Sequence, residues 1–393
     1  MGTFTSKRGA LTLFTLGHIT NHMFIVVLPP LLPIFKSIYA LDYFESGVKV
    51  AAFFAGLLLQ IFVGFISDKV GKRKIFVGGG LIITALLTLT LTLTANYLML
   101  PVIAFLMGLA ASTYHPPGIA LVSENFPINH RGKALGIHAI GEGGTAISPF
   151  IIGATTLILP WQFSIYIISS FGLAVGAIYL RFIRETPKEH VEKTNNSIGR
   201  KKVSLTSFII PVMIASFPLI LGTMAFAGVM NFLTLYLTGV FQMSFAFAAF
   251  ILGVMQISAV ISAPIGGLAS DKIGRKWVIV TGLLALSGLI LLFSYLKLGL
   301  IMYAVLFLIG FFIFFQVPAL HAYIADVTPT QRRGSLYAIF LTTSSGFEGL
   351  TPLIMGILID FSSFKFSFII LAIFAFIGAL VGILIRNQKT LNA

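Results

Sequence analysis

The sequence predicts an all-α membrane protein of twelve transmembrane helices, built as two homologous six-helix bundles with both termini cytoplasmic. Three observations predict it: a composition that cannot cover a soluble surface, twelve apolar runs of membrane-crossing length, and a chain that repeats itself at an offset near 203 residues. Of 393 residues, 57% are hydrophobic and only 10% are charged, with a mean hydropathy of +1.00. A soluble domain carries about 45–50% apolar and about 25% charged residues. Soluble enzyme, nucleic-acid-binding module and disordered scaffold are therefore poor readings. The lack of cysteine removes disulfides, thiolate catalysis and Cys-ligated zinc.

A helix needs about 20 apolar residues, at 1.5 Å each, to cross ~30 Å of hydrocarbon. Cutting the chain at charges, Pro/Gly clusters and polar breaks gives runs near 9–36, 45–66, 75–95, 97–123, 134–157, 162–182, 206–238, 244–268, 277–296, 298–323, 335–359 and 364–386. The stretch Met1 to Arg8 is short and polar and is followed by a long apolar run without a small-residue cleavage site, which argues against a removed signal peptide. Pro29, Pro30 and Pro33 prevent a regular helix near the far end of that run, making either a bent mouth or an ordinary helix end. The seventh run, longer than one crossing, is expected to bend or unwind near Gly228 to Asn231.

Basic residues set the orientation. Of the 26 Lys and Arg residues, 22 fall on one side of the twelve runs, and only Lys36, Lys49, Lys297 and Lys365 fall outside that set. By the positive-inside rule this side is cytoplasmic. Most of the net charge of +14 is thus topology rather than a nucleic-acid footprint. The longest polar stretch lies between the sixth and seventh runs, so the expected organisation is an N-terminal bundle (1–182), a cytoplasmic linker (183–205) and a C-terminal bundle (206–393).

The halves repeat. The segment from Gly64 through Asp68, Lys69 and Gly71 to Lys72-Arg73 recurs 203 positions later as Gly267, Asp271, Lys272, Gly274 and Arg275-Lys276. Glu124, Pro127, Arg131 and Gly132 recur as Asp326, Pro329, Arg333 and Gly334 at an offset of 202. The loop motif has a mechanical reading. Gly64 permits close helix approach, Gly71 permits a tight turn, and Asp68 can pair with Lys72, Arg73 or Arg131. We expect this group and its repeat (Gly267, Asp271, Gly274, Arg275, Arg333) to take part in conformational gating, against a plainer role for the basic residues in fixing topology.

Twelve spans in a 6+6 repeat, with G-x3-D-K-x-G-[KR]-[KR] after spans two and eight, resemble the major facilitator superfamily over the whole chain. Within it, His18-Ile19-Thr20-Asn21-His22, Tyr114-His115-Pro116 and Gly141-Glu142-Gly143-Gly144 are similar to the fosmidomycin-resistance subfamily of efflux proteins. Gly144-x3-Ser148-Pro149-x3-Gly153 is similar to the antiporter motif of drug/proton exchangers, with Ser148 where that motif has glycine. The span-four arginine of the drug antiporters would fall near Ala104, so proton coupling here cannot rest on it. What the resemblance implies is an antiporter exporting a small amphipathic or anionic compound or drug by alternating access.

Two carboxylates, Glu142 and Glu348, lie inside apolar runs. A charge at the bilayer centre costs at least ~2.5–3.5 kcal/mol, so such residues usually face a cavity or mark a proton or ion path. Counting along the helices puts His18, His115 and Glu142 near one depth. His138 and Glu142, four apart, would share a helix face, as would His18 and His22. We expect Glu142 as the main proton site, with His115 or His138 as relay and Glu348 as a second candidate. His18, Asn21, His22, His115, Asn231, Tyr236 and Gln316 are the candidates for the substrate cavity. Each has a plainer alternative as helix–helix glue.

Expected partners are the lipid bilayer, a small-molecule substrate and protons, with no nucleic acid, for a monomer in the cytoplasmic (plasma) membrane. No cofactor is expected, the proton gradient supplying the energy; there is no G-x4-G-K-[ST] loop for ATP. Uptake by symport or uniport stays open. A remote alternative is an intramembrane metalloenzyme using His18, His22, His115 and Glu142 as ligands, although no HExxH motif is present.

Overall fold

Helix is the one kind of regular structure among the described residues, as a chain this apolar requires: in lipid, each backbone N–H and C=O must find its partner within the segment. The computed structural model describes residues 7–184, 205–328 and 333–385, without the side chains of 128, 129, 205–209, 325, 333–339 and 341. Most of the expected linker and the side chain of Arg333 lie outside the described residues.

Spans one to six, as read from the sequence, are mostly broken rods. The first is α1 (Lys7–Ile25) and α2 (Leu28–Tyr39): the expected irregular end is corrected, because Pro29 and Pro30 take the first turn of α2 and Pro33 lies inside it, and the interruption falls before them. Proline tolerates the first turn because its missing N–H would have no helical partner there. The second run divides into α3 (Tyr43–Leu57) and α4 (Gln60–Val70), the third is α5 (Arg73–Thr90), and the fourth divides into α6 (Met99–Ala111) and α7 (His115–Asn125). The fifth is α8 (Ile128–Ala139), a 3₁₀ turn over Ile140–Gly143 and α9 (Gly144–Thr156); the sixth is α10 (Gln162–Phe182).

The later runs are continuous: α11 (Leu205–Phe241), α12 (Phe245–Ile273), α13 (Arg275–Phe293), α14 (Leu300–Val327), α15 (Arg333–Phe361) and α16 (Phe364–Gly382). The break expected near Gly228 to Asn231 is therefore corrected. Helix α11 runs through it, with the Asn231 amide donating to the Ala227 carbonyl at 2.8 Å and Gly228 receiving Leu371 of α16.

Ten helices among the described residues are long and apolar enough to cross a membrane. The fifth and eleventh runs are not among them. These are the two that carry Glu142 and Glu348, together with Gly, Ser and Thr.

Packing repeats as the sequence does. Contacts α3–α6, α5–α10 and α5–α6 have counterparts in α12–α14, α13–α16 and α13–α14. Two seams join the early helices to the late ones, α3 on α15 and α9 on α12. They are equivalent under the repeat. A Cβ at Gly153 would sit 2.8 Å from the Ala246 carbonyl oxygen, and one at Gly356 would sit 2.6 Å from the Tyr43 carbonyl oxygen. Both pairs differ by 203 positions. Glycine is needed at both places because the backbones approach closer than any side chain allows.

The end of the bundle bearing Asp68 and Asp271 we call the motif end. Gly71 there caps α4 at φ 71°, a left-handed turn that glycine adopts at little cost. Arg73 reaches both Asp68 (2.6 Å) and Glu124, tying α4, α5 and α7 together. Arg275 repeats the arrangement with Asp271, with Asp326 at 3.5 Å and with the Ser270 hydroxyl at 2.6 Å.

At the opposite end the seam is locked. The Asp360 carboxylate at the end of α15 accepts from the backbone N–H groups of Tyr43 (3.1 Å) and Phe44 (2.8 Å) at the start of α3. The Thr234 hydroxyl of α11 donates to the Pro29 carbonyl of α2 at 2.7 Å. Three of the four lysines outside the basic set cover tyrosine rings: Lys36 over Tyr43 (4.2 Å), Lys49 over Tyr97 (5.6 Å) and Lys365 over Tyr295 (3.9 Å).

Candidate functional site

The broken spans converge on a histidine cluster. His18 and His22 stand four apart on unbroken α1 and so share a face. The helix break at Ser112–Tyr114, followed by Pro116 and Pro117 in the first turn of α7, sets His115 at the start of that helix. His115 then reaches α1: its Nε2 lies 3.2 Å from the Nε2 of His22, and its ring is 5.4 Å from that of His18. His138, near the end of α8, stacks on His18 at 4.3 Å with planes 12° apart, and Tyr114 lies parallel to His18 at 5.5 Å. The Tyr114 hydroxyl donates to the Phe14 carbonyl at 2.7 Å, which fixes that ring.

One hydrogen bond sets a tautomer. His18 Nδ1 lies 2.8 Å from the His138 carbonyl oxygen, which can only accept, so Nδ1 donates. In the neutral ring the lone pair is then on Nε2, which is buried without a hydrogen-bond partner. His18 and His22 are 5% and 8% exposed, whereas His115 is only partly buried. The ligand nitrogens of His18, His22 and His115 all lie within 4.8 Å of one another.

Glu142 departs from the expected pairing with His138. Four residues of α-helix would carry both on one face, but Ile140–Gly143 is 3₁₀, where four residues turn roughly a third of a circle further than three. His138 is buried at 3% exposure, and Glu142 is exposed, with no hydrogen bond between them. The turn is held close to α1: a Cβ on Gly141 would overlap the His18 side chain, and one on Gly144 would overlap the Ile19 carbonyl. A Cβ on Gly143 would lie 3.3 Å from Val260 of α12. Glu142 therefore sits where early and late helices meet, and Glu348 of α15 lies within electrostatic range of it. Ser148, in the place of the antiporter motif's glycine, donates to the Met23 carbonyl at 2.6 Å and satisfies the fraying end of α1.

The remaining expected residues do not join this cluster. Tyr236 is 6% exposed and lies among Phe241, Phe293, Phe364 and Phe368, with ring centroids 5.0–5.4 Å away. Asn231 and Gln316 are buried, each with a side-chain oxygen lacking a hydrogen-bond partner, and the Asn21 amide nitrogen is likewise unmatched. In the loop motifs Arg73 and Arg275 carry the ion pairs. Lys72 is exposed, and Arg131 keeps a buried Nε with no hydrogen-bond partner. Sequence reasoning missed Glu124 and Asp326 as ion-pair partners, although their repeat at a common offset was the available signal. Asp360 left no such signal, its partners being more than 300 positions away.

An apolar groove of about 530 Å³ between α5 and α6, lined by Ile75, Ile83, Leu106 and Thr113, lies apart from the histidines. Its rim residues Ile75 and Ile83 are about half exposed, at 50% and 53%, as fits a lipid-covered flank.

The family model described as Major Facilitator Superfamily matches residues 14–267 and 220–392. The chain belongs to the major facilitator superfamily. It is similar to the fosmidomycin resistance protein of Escherichia coli K12, with 25% identity over 97% of this chain and 93% of the relative. It also resembles a protein named probable nitrate transporter NarT, from Staphylococcus carnosus, at 24% identity over 68% of each chain. A bacterial homolog of the human lysosomal transporter Spinster, solved in an inward-facing and occupied conformation, has the same fold: TM-score 0.81, 17% identity, covering 98% of this chain and 97% of that one. The protein is thus a multi-pass transporter of the plasma membrane, seated in lipid and acting on small molecules, and not an enzyme.

Proposed function

We propose that the chain is a proton-coupled antiporter that exports a small amphipathic or anionic compound by alternating access. In this reading twelve spans form two bundles, 1–182 and 206–393, tethered by 183–205 and rocking about the seams as a monomer, with no cofactor beyond the proton gradient. The motif end is cytoplasmic by the positive-inside rule, so the end locked by Asp360 faces outward.

The observation that carries the proposal is the placing of Glu142 on a 3₁₀ turn between α1 and α12, where early and late helices meet, within electrostatic range of Glu348. Two ionised carboxylates repel, and each resists leaving water. Closing the substrate-free cavity around them therefore requires protonation, and release on the other side lets bound substrate take the proton's place for the return crossing, so that proton and substrate move in opposite directions. That cycle links proton movement to the rocking of the bundles. Export is supported by the E. coli relative named for fosmidomycin resistance. No lysine or arginine lies mid-span near the site, so an anion would be held by protonated His18, His22 or His115.

The test is made in proteoliposomes with a luminal pH dye, a pH gradient and candidate compounds, including fosmidomycin, other phosphonates and lipophilic drugs. Substrate-dependent proton movement that disappears in Glu142→Gln is the expected result. Labelled substrate equilibrating without proton movement would replace antiport by uniport.

A further inference from the structure

We infer that His18, His22 and His115, when neutral, form a binding site for one divalent first-row transition-metal ion, which then replaces their protons as the positive charge at this place, in addition to the proton chemistry assigned to Glu142. The donor set is the first argument. Three imidazoles from α1 and α7 bring their ligand nitrogens within 4.8 Å of one another. The 3.2 Å between the Nε2 atoms of His22 and His115 matches the edge of a tetrahedron with metal–nitrogen bonds of about 2.0–2.1 Å, roughly 3.3 Å. A ring nitrogen of His18 lies within 4.8 Å of both, so it stands beside the pair as a third donor.

The second argument is the orientation of His18. Metal-bound histidines donate their other ring N–H to a carbonyl or carboxylate, which fixes the tautomer and aims the lone pair. His18 Nδ1 makes that bond with the His138 carbonyl at 2.8 Å, and its Nε2 lone pair is buried with no hydrogen-bond partner. A buried acceptor left unmatched is destabilising, so a cation offers it something the rest of the fold does not. His138, stacked at 4.3 Å, holds the His18 plane.

Three nitrogens with room for a fourth ligand make an open site rather than a closed structural one. The partly exposed His115 marks the side from which an ion arrives. Imidazole donors without carboxylate oxygens select Co²⁺, Ni²⁺, Cu²⁺ or Zn²⁺ over Mg²⁺ and Ca²⁺.

The experiment is a Co²⁺ titration of the full-length protein in detergent, purified through a tag without histidine and followed by d–d absorption, with Zn²⁺ and Mg²⁺ as competitors. One Co²⁺ per chain, displaced by Zn²⁺ and not by millimolar Mg²⁺, is expected, with affinity at least tenfold weaker in His18→Gln and His115→Asn and unchanged in the exposed His130→Ala. Monodisperse elution shows that each variant is folded; should either aggregate, His22→Gln takes its place. A wild-type protein without the absorption band, or binding retained in folded His18→Gln and His115→Asn, overturns the site. The titration needs no gradient or substrate, so its outcome is independent of proton coupling.

Discussion

Removing the Asp360 side chain should open the end of the molecule opposite the loop motifs. Its carboxylate accepts two backbone hydrogen bonds, at 3.1 and 2.8 Å, from the first turn of α3. These are the first-turn N–H groups that a helix cannot satisfy itself. Bonds to a charged acceptor contribute about 1.5–3 kcal/mol where water is excluded. At an exposed position, with Asp42 already capping the same helix, the pair is worth about 1–2 kcal/mol. That corresponds to a 5- to 30-fold change in the ratio of closed to open forms. The chain has no cysteine, so Leu98→Cys and Leu300→Cys, at positions 58% and 82% exposed, place two spin labels across this end without background. Pulsed dipolar spectroscopy should show Asp360→Ala enriching the longer separation, and Asp360→Asn doing so less, because its amide oxygen still accepts. Identical distance distributions in wild type and Asp360→Ala would refute the reasoning.

Three further outcomes are expected. Gly153→Leu should hold the same end apart, since even a Cβ would meet the Ala246 carbonyl at 2.8 Å; overpacking of this kind costs about 1–3 kcal/mol, read out with the same label pair. Arg73→Ala should lower the melting temperature in detergent by a few degrees, as it strips a cation from Glu124, whose side chain is 23% exposed, and from Asp68, at 64%; Arg73→Lys should recover part of the loss. Ser148→Ala should cost about 1 kcal/mol by leaving the Met23 carbonyl without its 2.6 Å donor, seen as a smaller fall in the same melting assay.

The fold was legible because its signals are periodic and repeated. Apolar runs, a one-sided basic set and the doubled Gly-Asp-Gly-Arg loop all mark positions that physics constrains locally. The loop pairs came out as Asp68–Arg73 and Asp271–Arg275, within the range the spacing allowed. The breaks were harder. Prolines follow the interruptions at Val26–Val27 and Ser112–Tyr114, and glycines flank the 3₁₀ turn at Ile140–Gly143, but the interruption at Leu58–Leu59 has no proline and only Gly56 close by. The opposite error occurred in α11, where run length suggested a break and Pro211, Pro218 and Gly228 are all accommodated within one helix. At the site, equal depth along α1, α7 and the fifth run allowed His18, His115 and Glu142 to meet, and the rings of His18 and His115 lie 5.4 Å apart. Which face each helix turns inward depends on packing that hydropathy does not encode. The aromatic surroundings of Tyr236, from α11, α13 and α16, are of this kind.

The central claim is that Glu142 carries the proton and not the substrate. Its most direct test compares two transport modes in the same proteoliposomes, using a compound found to be transported. Substrate exchange at equal pH needs only the site and the rocking motion, whereas uphill transport driven by a pH gradient also needs the carboxylate. The account predicts that Glu142→Gln retains exchange and loses gradient-driven accumulation. Loss of both modes in a folded variant, or accumulation that persists, would contradict it.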